Sequence, residues 1–195
     1  MKLNPLTSSI LSAVILFLSA GFAQGAIERY EIDTAHSSIT FKVRHFFSKV
    51  PGSFTNFSGQ IFYDTENPEN SYAEANIKAS SIDTNNAKRD RHLNNEDFLD
   101  TPNYPRISFR STSWKPLGDN KFEVTGNLSI LKTTLPVTLD VEFLGKGEGF
   151  GGSYIAGWLG KTEINRNDFG ITYGKPAVGD KVEIEINVES KLIGM

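Results

Sequence analysis

Apolar and polar residues alternate with a period of two along most of this chain. In SSITFKVRHFF, Ile39, Phe41 and Val43 fall on one parity and Ser38, Thr40, Lys42 and Arg44 on the other, the pattern of a strand with one buried and one solvated face. SFTNFSGQIFYD places Phe57, Ile61 and Tyr63 together, with Gly59 as a bulge or a point of close approach. The pattern recurs in AEANIKASSI, in RISFRS with Ile107 and Phe109, in KFEVTGNLSI with Phe122, Val124, Leu128 and Ile130, and in PVTLDVEFL with Val137, Leu139, Val141 and Phe143. KVEIEINVES is the most regular, setting Val182, Ile184, Ile186 and Val188 against Glu183, Glu185, Asn187 and Glu189. Turns are expected at Pro51-Gly52, Asn67-Pro68, Gly118-Asp119-Asn120 and Gly179-Asp180. About eight antiparallel strands of this length predict an all-β chain closed into an up-and-down barrel.

One stretch breaks the alternation. Residues 85–100 read as helix: Asp83 or Thr84 caps a turn that starts at Asn85, and Ala87, Lys88, Arg91 and Leu93 suit its interior. Asn94 or Asn95 then caps a second short turn holding Phe98 and Leu99, and Pro102 and Pro105 end it. This helical insert joins two strands and is expected over a rim of the barrel.

The N-terminus has a different character. Lys2, the apolar run ILSAVILFLSAGFA and the small residues around Phe22 form the three zones of a signal peptide, with cleavage expected after Ala23 and Gly25 or Ala26 as nearby alternatives. Residues 24–195 then form a single domain of ordinary size, and export leads to the expectation of a soluble periplasmic protein. Cysteine is absent, which excludes a lipid-modified cysteine, disulfides and thiolate chemistry. Formal charge is −3 with no basic run, so nucleic acid is not an expected partner. Fourteen phenylalanines are a large apolar inventory for a core or for the surroundings of an apolar ligand.

Motifs for catalysis are weak. His36 and His45 lie nine residues apart, hence about 30 Å apart and on opposite faces if one strand carries both; His92 alone makes no metal site, and no metal or other cofactor is expected. No G-x-S-x-G elbow occurs, which leaves open a triad assembled in space. GKGEGFGG at 145–152 has Phe150 where a dinucleotide loop needs glycine and reads as a strand connection. Arg89, Asp90 and His92 form the one charged cluster, read from motifs alone as a solvated helix face.

DTAHSSITFKVRH, GSFTNFSGQIFYD, SSIDTNNAKRDRHLNNEDFLDTPNYPRISF, VTGNLSI with LPVTLDVEF, and INRNDFGI with VGDKVEIEINVES resemble, in order, the motifs of the YceI-like family, over about Glu28 to Lys191. LKTTLP departs from it, since members commonly carry a Gly and a basic residue before the Pro-Val strand. The resemblance implies an exported protein with a lipocalin-like antiparallel barrel around a polyisoprenoid or similar long-chain amphiphile. It also implies a non-enzymatic carrier, for which a membrane is only the donor or acceptor of the lipid; a homodimer is compatible with it. Parity and resemblance together give Phe41, Val43, Phe54, Phe57, Ile77, Leu93, Phe98, Phe109, Leu128, Ile130, Leu139 and Phe169 as tail contacts, with Arg89, Asp90 and His92 at the rim. A lipid-ester hydrolase using the same cavity and a stress-response interaction protein whose barrel is filled by its own side chains are the alternatives.

Overall fold

The computed structural model describes residues 27–195; the expected signal peptide and its cleavage point lie outside the described residues. Eleven strands are formed: β1 (Ile27–Ile32), β2 (Ser38–His45), β3 (Ser48–Phe54), β4 (Phe57–Asp64), β5 (Tyr72–Lys78), β6 (Ile82–Asp83), β7 (Arg106–Gly118), β8 (Lys121–Ile130), β9 (Thr133–Glu148), β10 (Tyr154–Asn165) and β11 (Val178–Gly194). All pair antiparallel, and β1–β11 pairing closes the sheet. β1 and β2 run successively along β11, and β3 and β4 run successively along β2 and β1. The result is a closed eight-strand antiparallel barrel with up-and-down connections. Closure removes most of the exposed edge that an open sheet of this size would present.

Chain reversals differ from the expected ones in three places, each for a local reason. The β2–β3 turn is made by Phe46 and Phe47, and Pro51 and Gly52 lie within β3. Pro51 is tolerated because β6 pairs β3 only at Ser53 and Phe54, which leaves its segment an edge. The strand expected over SFTNFSGQIFYD breaks at Thr55-Asn56, where the backbone turns to Ser81: Thr55 N donates to Ser81 O (3.1 Å) and Asn56 N to Ser81 Oγ (3.1 Å). Gly179-Asp180 is a register shift inside β11, between Val178 and Val182, rather than a turn. Gly59 sits in regular pairing as a point of close approach: a β-carbon there would lie 2.5 Å from the Glu74 carbonyl oxygen. The LKTTLP turn between β8 and β9 puts Leu131 at φ 53°, a conformation that glycine adopts more readily.

The insert contains one helix, α1 (Ala87–Leu93), capped by Asn86, whose side chain accepts from Arg89 N at 3.0 Å. Asn85 has φ 57° and cannot be helical, so the helix begins later than residue 85, and Asp83 instead closes a small turn onto Asn85 N (2.7 Å). Residues 94–100 form hydrogen-bonded turns rather than a second helix, with Phe98 N bonded to Asn95 O and Leu99 N to Leu93 O.

The interior has two halves. Around Tyr30, Tyr63, Trp114, Phe122 and Trp158 the barrel is filled by its own side chains, and Trp114 and Trp158 meet edge to face at 5.8 Å. This packing closes one end, where β7 and β8, and β9 and β10, are joined. The other half carries a second cluster, which includes Ile107, Leu128, Ile130 and Ile164, beneath α1.

Candidate functional site

A cavity of about 540 Å³ opens at the α1 end, within the usual range for small-ligand pockets. The β2–β3 hairpin, α1 and the turns after it, and the loop Ile171–Ala177 surround it, because each supplies lining residues: Val43, Val50, Leu93, Phe98, Ile171 and Tyr173 among them. Eleven of the twelve expected tail-contact residues line the cavity: Phe41, Val43 and Phe54 from the hairpin, Phe57 and Ile77 from β4 and β5, Leu93 and Phe98 from the insert, and Phe109, Leu128, Ile130 and Leu139 from β7 to β9. Phe41, Val43, Phe54, Ile77 and Phe109 are only half-buried although they point inward.

Phe169 is the exception. It lies on a 3₁₀ turn, Arg166–Phe169, that follows β10 and breaks the strand parity, and it is 2% exposed within the wall cluster that includes Ile130 and Ile164, not on the cavity surface. Strand alternation says nothing about a residue beyond the strand.

Of the rim residues, Arg89 and His92 line the cavity and Asp90 does not. Asp90 Oδ1 accepts from Thr84 N (3.0 Å) and from the Thr84 hydroxyl (2.5 Å). Arg89 Nε donates to the same hydroxyl and its Nη2 to Thr84 O, both at 2.7 Å. Asp90 therefore orients Arg89 through the buried Thr84 rather than directly. Both bonds hold the guanidinium by one side, so that Nη1 has no hydrogen-bond partner among the described residues. His92 Nε2 is paired with Asp97 Oδ2 at 2.9 Å, and its ring meets Phe98 (5.1 Å) and Tyr173 (5.2 Å) edge to face. Phe98 also meets Tyr173 at 5.3 Å. Three rings from two separate segments thus lock the insert to the Ile171–Ala177 loop.

Several lining residues were not among those expected. Val182, Ile184, Ile186 and Val188 form the inner face of β11; their alternation was plain, and only the assignment of that face to the cavity was lacking. Arg44, His45, Arg166 and Tyr173 also line it, and no periodic signal marks them. Arg166 is 4% exposed and spends its donors on backbone carbonyls: Nε on Gly179 (2.7 Å), Nη1 on Ile171 (2.9 Å) and Tyr173 (2.7 Å), Nη2 on Val178 (3.1 Å). Burial pulls its pKa down and Asp180 pushes it back up; the guanidinium remains charged. The charged and imidazole groups at the cavity are Arg44, His45, Arg89, His92 and Arg166, and among the described residues no Asp or Glu side chain lines it.

His36 precedes β2 in a turn, away from this lining, so His36 and His45 do not share one strand as expected. Its Nδ1 lies 3.2 Å from Asp33 Oδ2 and 3.6 Å from Glu189 Oε1, and Lys191 Nζ stands 2.6 Å from the same Asp33 oxygen. An ammonium occupies the side of Asp33 on which a cation would bind, and the group reads as an ion-pair network.

A YceI-like domain model matches residues 30–190. A UPF0312 protein of Azotobacter vinelandii is 35% identical over 184 residues, covering 94% of this chain and 96% of that protein. The crystal structure of Burkholderia cenocepacia BcnA superposes with a TM-score of 0.75 at 25% identity, covering 81% of this chain and 98% of that one. A polyisoprenoid binding domain from Saccharophagus degradans, implicated in plant cell wall breakdown, has the same fold, with a TM-score of 0.63 at 13% identity over 86% of this chain and all of that one. The barrel, its helical insert and these matches together establish that the chain belongs to the YceI-like family.

Proposed function

We propose that the protein is a carrier which holds one long-chain amphiphilic lipid, of polyisoprenoid type, with its tail in the cavity and its head group at the Arg89 end. The observation that carries this reading is the composition of the wall: mainly aliphatic and aromatic side chains, with three threonines, the cationic and imidazole groups Arg44, His45, Arg89, His92 and Arg166, and no carboxylate among the described residues. Moving about ten methylenes from water into such a wall supplies roughly 8 kcal/mol before the costs of immobilisation. Arg89, held by Thr84 with one amino group left over, suits an acceptor-rich or anionic head group. The polyisoprenoid binding described for the Saccharophagus degradans domain supports the choice of ligand class.

Export to the periplasm after removal of residues 1–23 belongs to the same proposal, since a long tail cannot cross an aqueous compartment unshielded. Hydrolysis is the weaker reading. His92 and Asp97 resemble two members of a triad, but among the described residues no serine or threonine hydroxyl bonds to the imidazole, and the Thr84 hydroxyl is taken by Arg89 and Asp90. Mass spectrometry of an organic extract of protein purified from its native host tests the proposal. A single class of long-chain lipid, enriched over the bulk membrane lipids, is expected; an extract with only bulk phospholipid at trace level contradicts it.

A further inference from the structure

Phe46 and Phe47 form the two-residue turn that joins β2 to β3. Phe47 is fully exposed, Phe46 is 53% exposed, and neither lines the cavity. Phe46 also has φ 49°, a conformation that is costly for a bulky side chain and for which Asn or Gly is the ordinary choice at a hairpin tip. Single exposed apolar residues require no explanation. Two adjacent phenylalanines at a strained tip are different, because backbone strain persists where a side chain has a use.

Position and charge indicate the use. Phe46 N donates to Ala177 O at 2.8 Å, tying the tip to the loop that carries Tyr173, itself 48% exposed. Residues 43–45 and Val50 of the same hairpin line the cavity opening. Between Ser38 and Phe54 the sequence holds Lys42, Arg44 and Lys49 and no Asp or Glu, in a chain of net charge −3. Arg44 Nη1 donates to Phe46 O at 2.9 Å, which places a guanidinium directly behind the aromatic tip; Lys49 pairs with Glu183 on β11. Aromatic rings followed by basic side chains is the order in which a bilayer presents acyl chains and then head-group phosphates.

We infer that the Phe46-Phe47 tip is a docking element that enters the surface of an anionic phospholipid bilayer and sets the cavity opening against it. The inference rests on the lipid-carrier reading for its purpose but not for its test. Flotation with vesicles of phosphatidylethanolamine and phosphatidylglycerol measures docking, and titration with cis-parinaric acid in vesicle-free buffer measures the cavity separately. The mature protein is expected to float with these vesicles and less so with pure phosphatidylcholine. Phe47→Ser should weaken flotation about tenfold and leave parinaric acid affinity unchanged, and Phe150→Ser, an exposed phenylalanine on the β9–β10 connection at the other end, should change neither. Phe47→Trp should keep flotation and give a tryptophan emission that shifts to the blue when vesicles are added.

Protein that binds parinaric acid but never floats overturns the docking inference and spares the carrier reading. Protein that floats through Phe47 but takes up no parinaric acid does the reverse. Equal losses in Phe47→Ser and Phe150→Ser, or a Phe47→Trp emission unmoved by vesicles, overturn docking at this tip. So does a dimer in size-exclusion chromatography that Phe47→Ser dissolves without any flotation of the wild type, since the occupant of the tip is then a second copy of the chain.

Discussion

Phe41 reaches across Gly52 of the neighbouring strand so closely that a β-carbon at position 52 would lie 2.3 Å from the Phe41 Cζ atom. The two residues are directly paired in the β2–β3 ladder, and the missing side chain leaves room for the ring along the wall. Phe109, whose ladder partner is Leu128, reaches over Gly126 in a similar way, 2.4 Å from where a β-carbon would lie, with the Arg110 carbonyl also close. The three atoms nearest to a β-carbon at position 52 all belong to the far end of the Phe41 ring. Gly52→Ala is therefore expected to turn that ring into the cavity, to lower affinity for a long-chain probe about tenfold and to cost about 1–3 kcal/mol of stability. Probe titration and denaturant unfolding check this. Phe41→Leu added to Gly52→Ala should recover most of the stability, and an unchanged affinity in the single variant removes Phe41 from the wall of the binding site.

Arg166 organises one lip of the opening from inside. Its removal orphans carbonyls that are otherwise satisfied within the fold, each costing about 1–3 kcal/mol when buried. Arg166→Met is expected to lower unfolding free energy by about 3 kcal/mol or more and to raise amide hydrogen exchange across 171–179 above that of the strands. Stability within about 0.5 kcal/mol of wild type means that water replaces the guanidinium at no cost.

Arg89→Ala and His92→Ala separate carrier from hydrolase. If Arg89 holds the head group as proposed, Arg89→Ala should weaken binding of a lipid with an anionic head group about tenfold or more, and binding of its neutral alcohol less, because charge-assisted bonds are the stronger kind. Neither wild type nor variant is expected to hydrolyse a lipid ester. Wild-type turnover that His92→Ala abolishes while binding persists reassigns the His92–Asp97 pair to catalysis.

Asp33, which does not line the cavity, gives a pH signature. Its carboxyl is lowered from 3.8 to about 2, first by the bond from Lys191, then by His36 and by the Ala35 N–H. A carboxyl lowered in the folded state stabilises the fold fully above its unfolded pKa and loses that contribution as pH falls through the folded value. Asp33→Asn is thus expected to melt below wild type at neutral pH, with the gap closing between about pH 4 and pH 2. A gap that is the same at both ends of that window contradicts the assigned partners.

Much of the barrel could be read from alternation alone, because a strand with one wet face repeats at two residues whatever its neighbours are. Alternation puts Phe41, Phe109 and Leu128 on the apolar face of their strands, and the resemblance adds their place at the cavity. The turns were harder: Pro51-Gly52 has the composition of a turn, yet it lies in β3 because its flank is an edge and because Phe41 needs the glycine's space. Phe169 lies off the cavity surface because a 3₁₀ turn carries no strand parity. Arg166 has no signature in the sequence, because an arginine that caps backbone carbonyls is recognised by where those carbonyls converge, which is a property of the folded chain. The link from Asp90 to Arg89 runs through the Thr84 hydroxyl, which is visible only in three dimensions.

Native mass spectrometry of protein prepared without detergent is the most direct test of the central claim that the cavity holds one long-chain lipid. The predicted spectrum contains a population one lipid heavier than the polypeptide. After delipidation, a single equivalent of an added prenyl lipid should restore that increment, and Phe41→Asp should abolish it. A spectrum of the bare polypeptide alone, with no uptake of prenyl lipids or fatty amides by wild type, contradicts the carrier account.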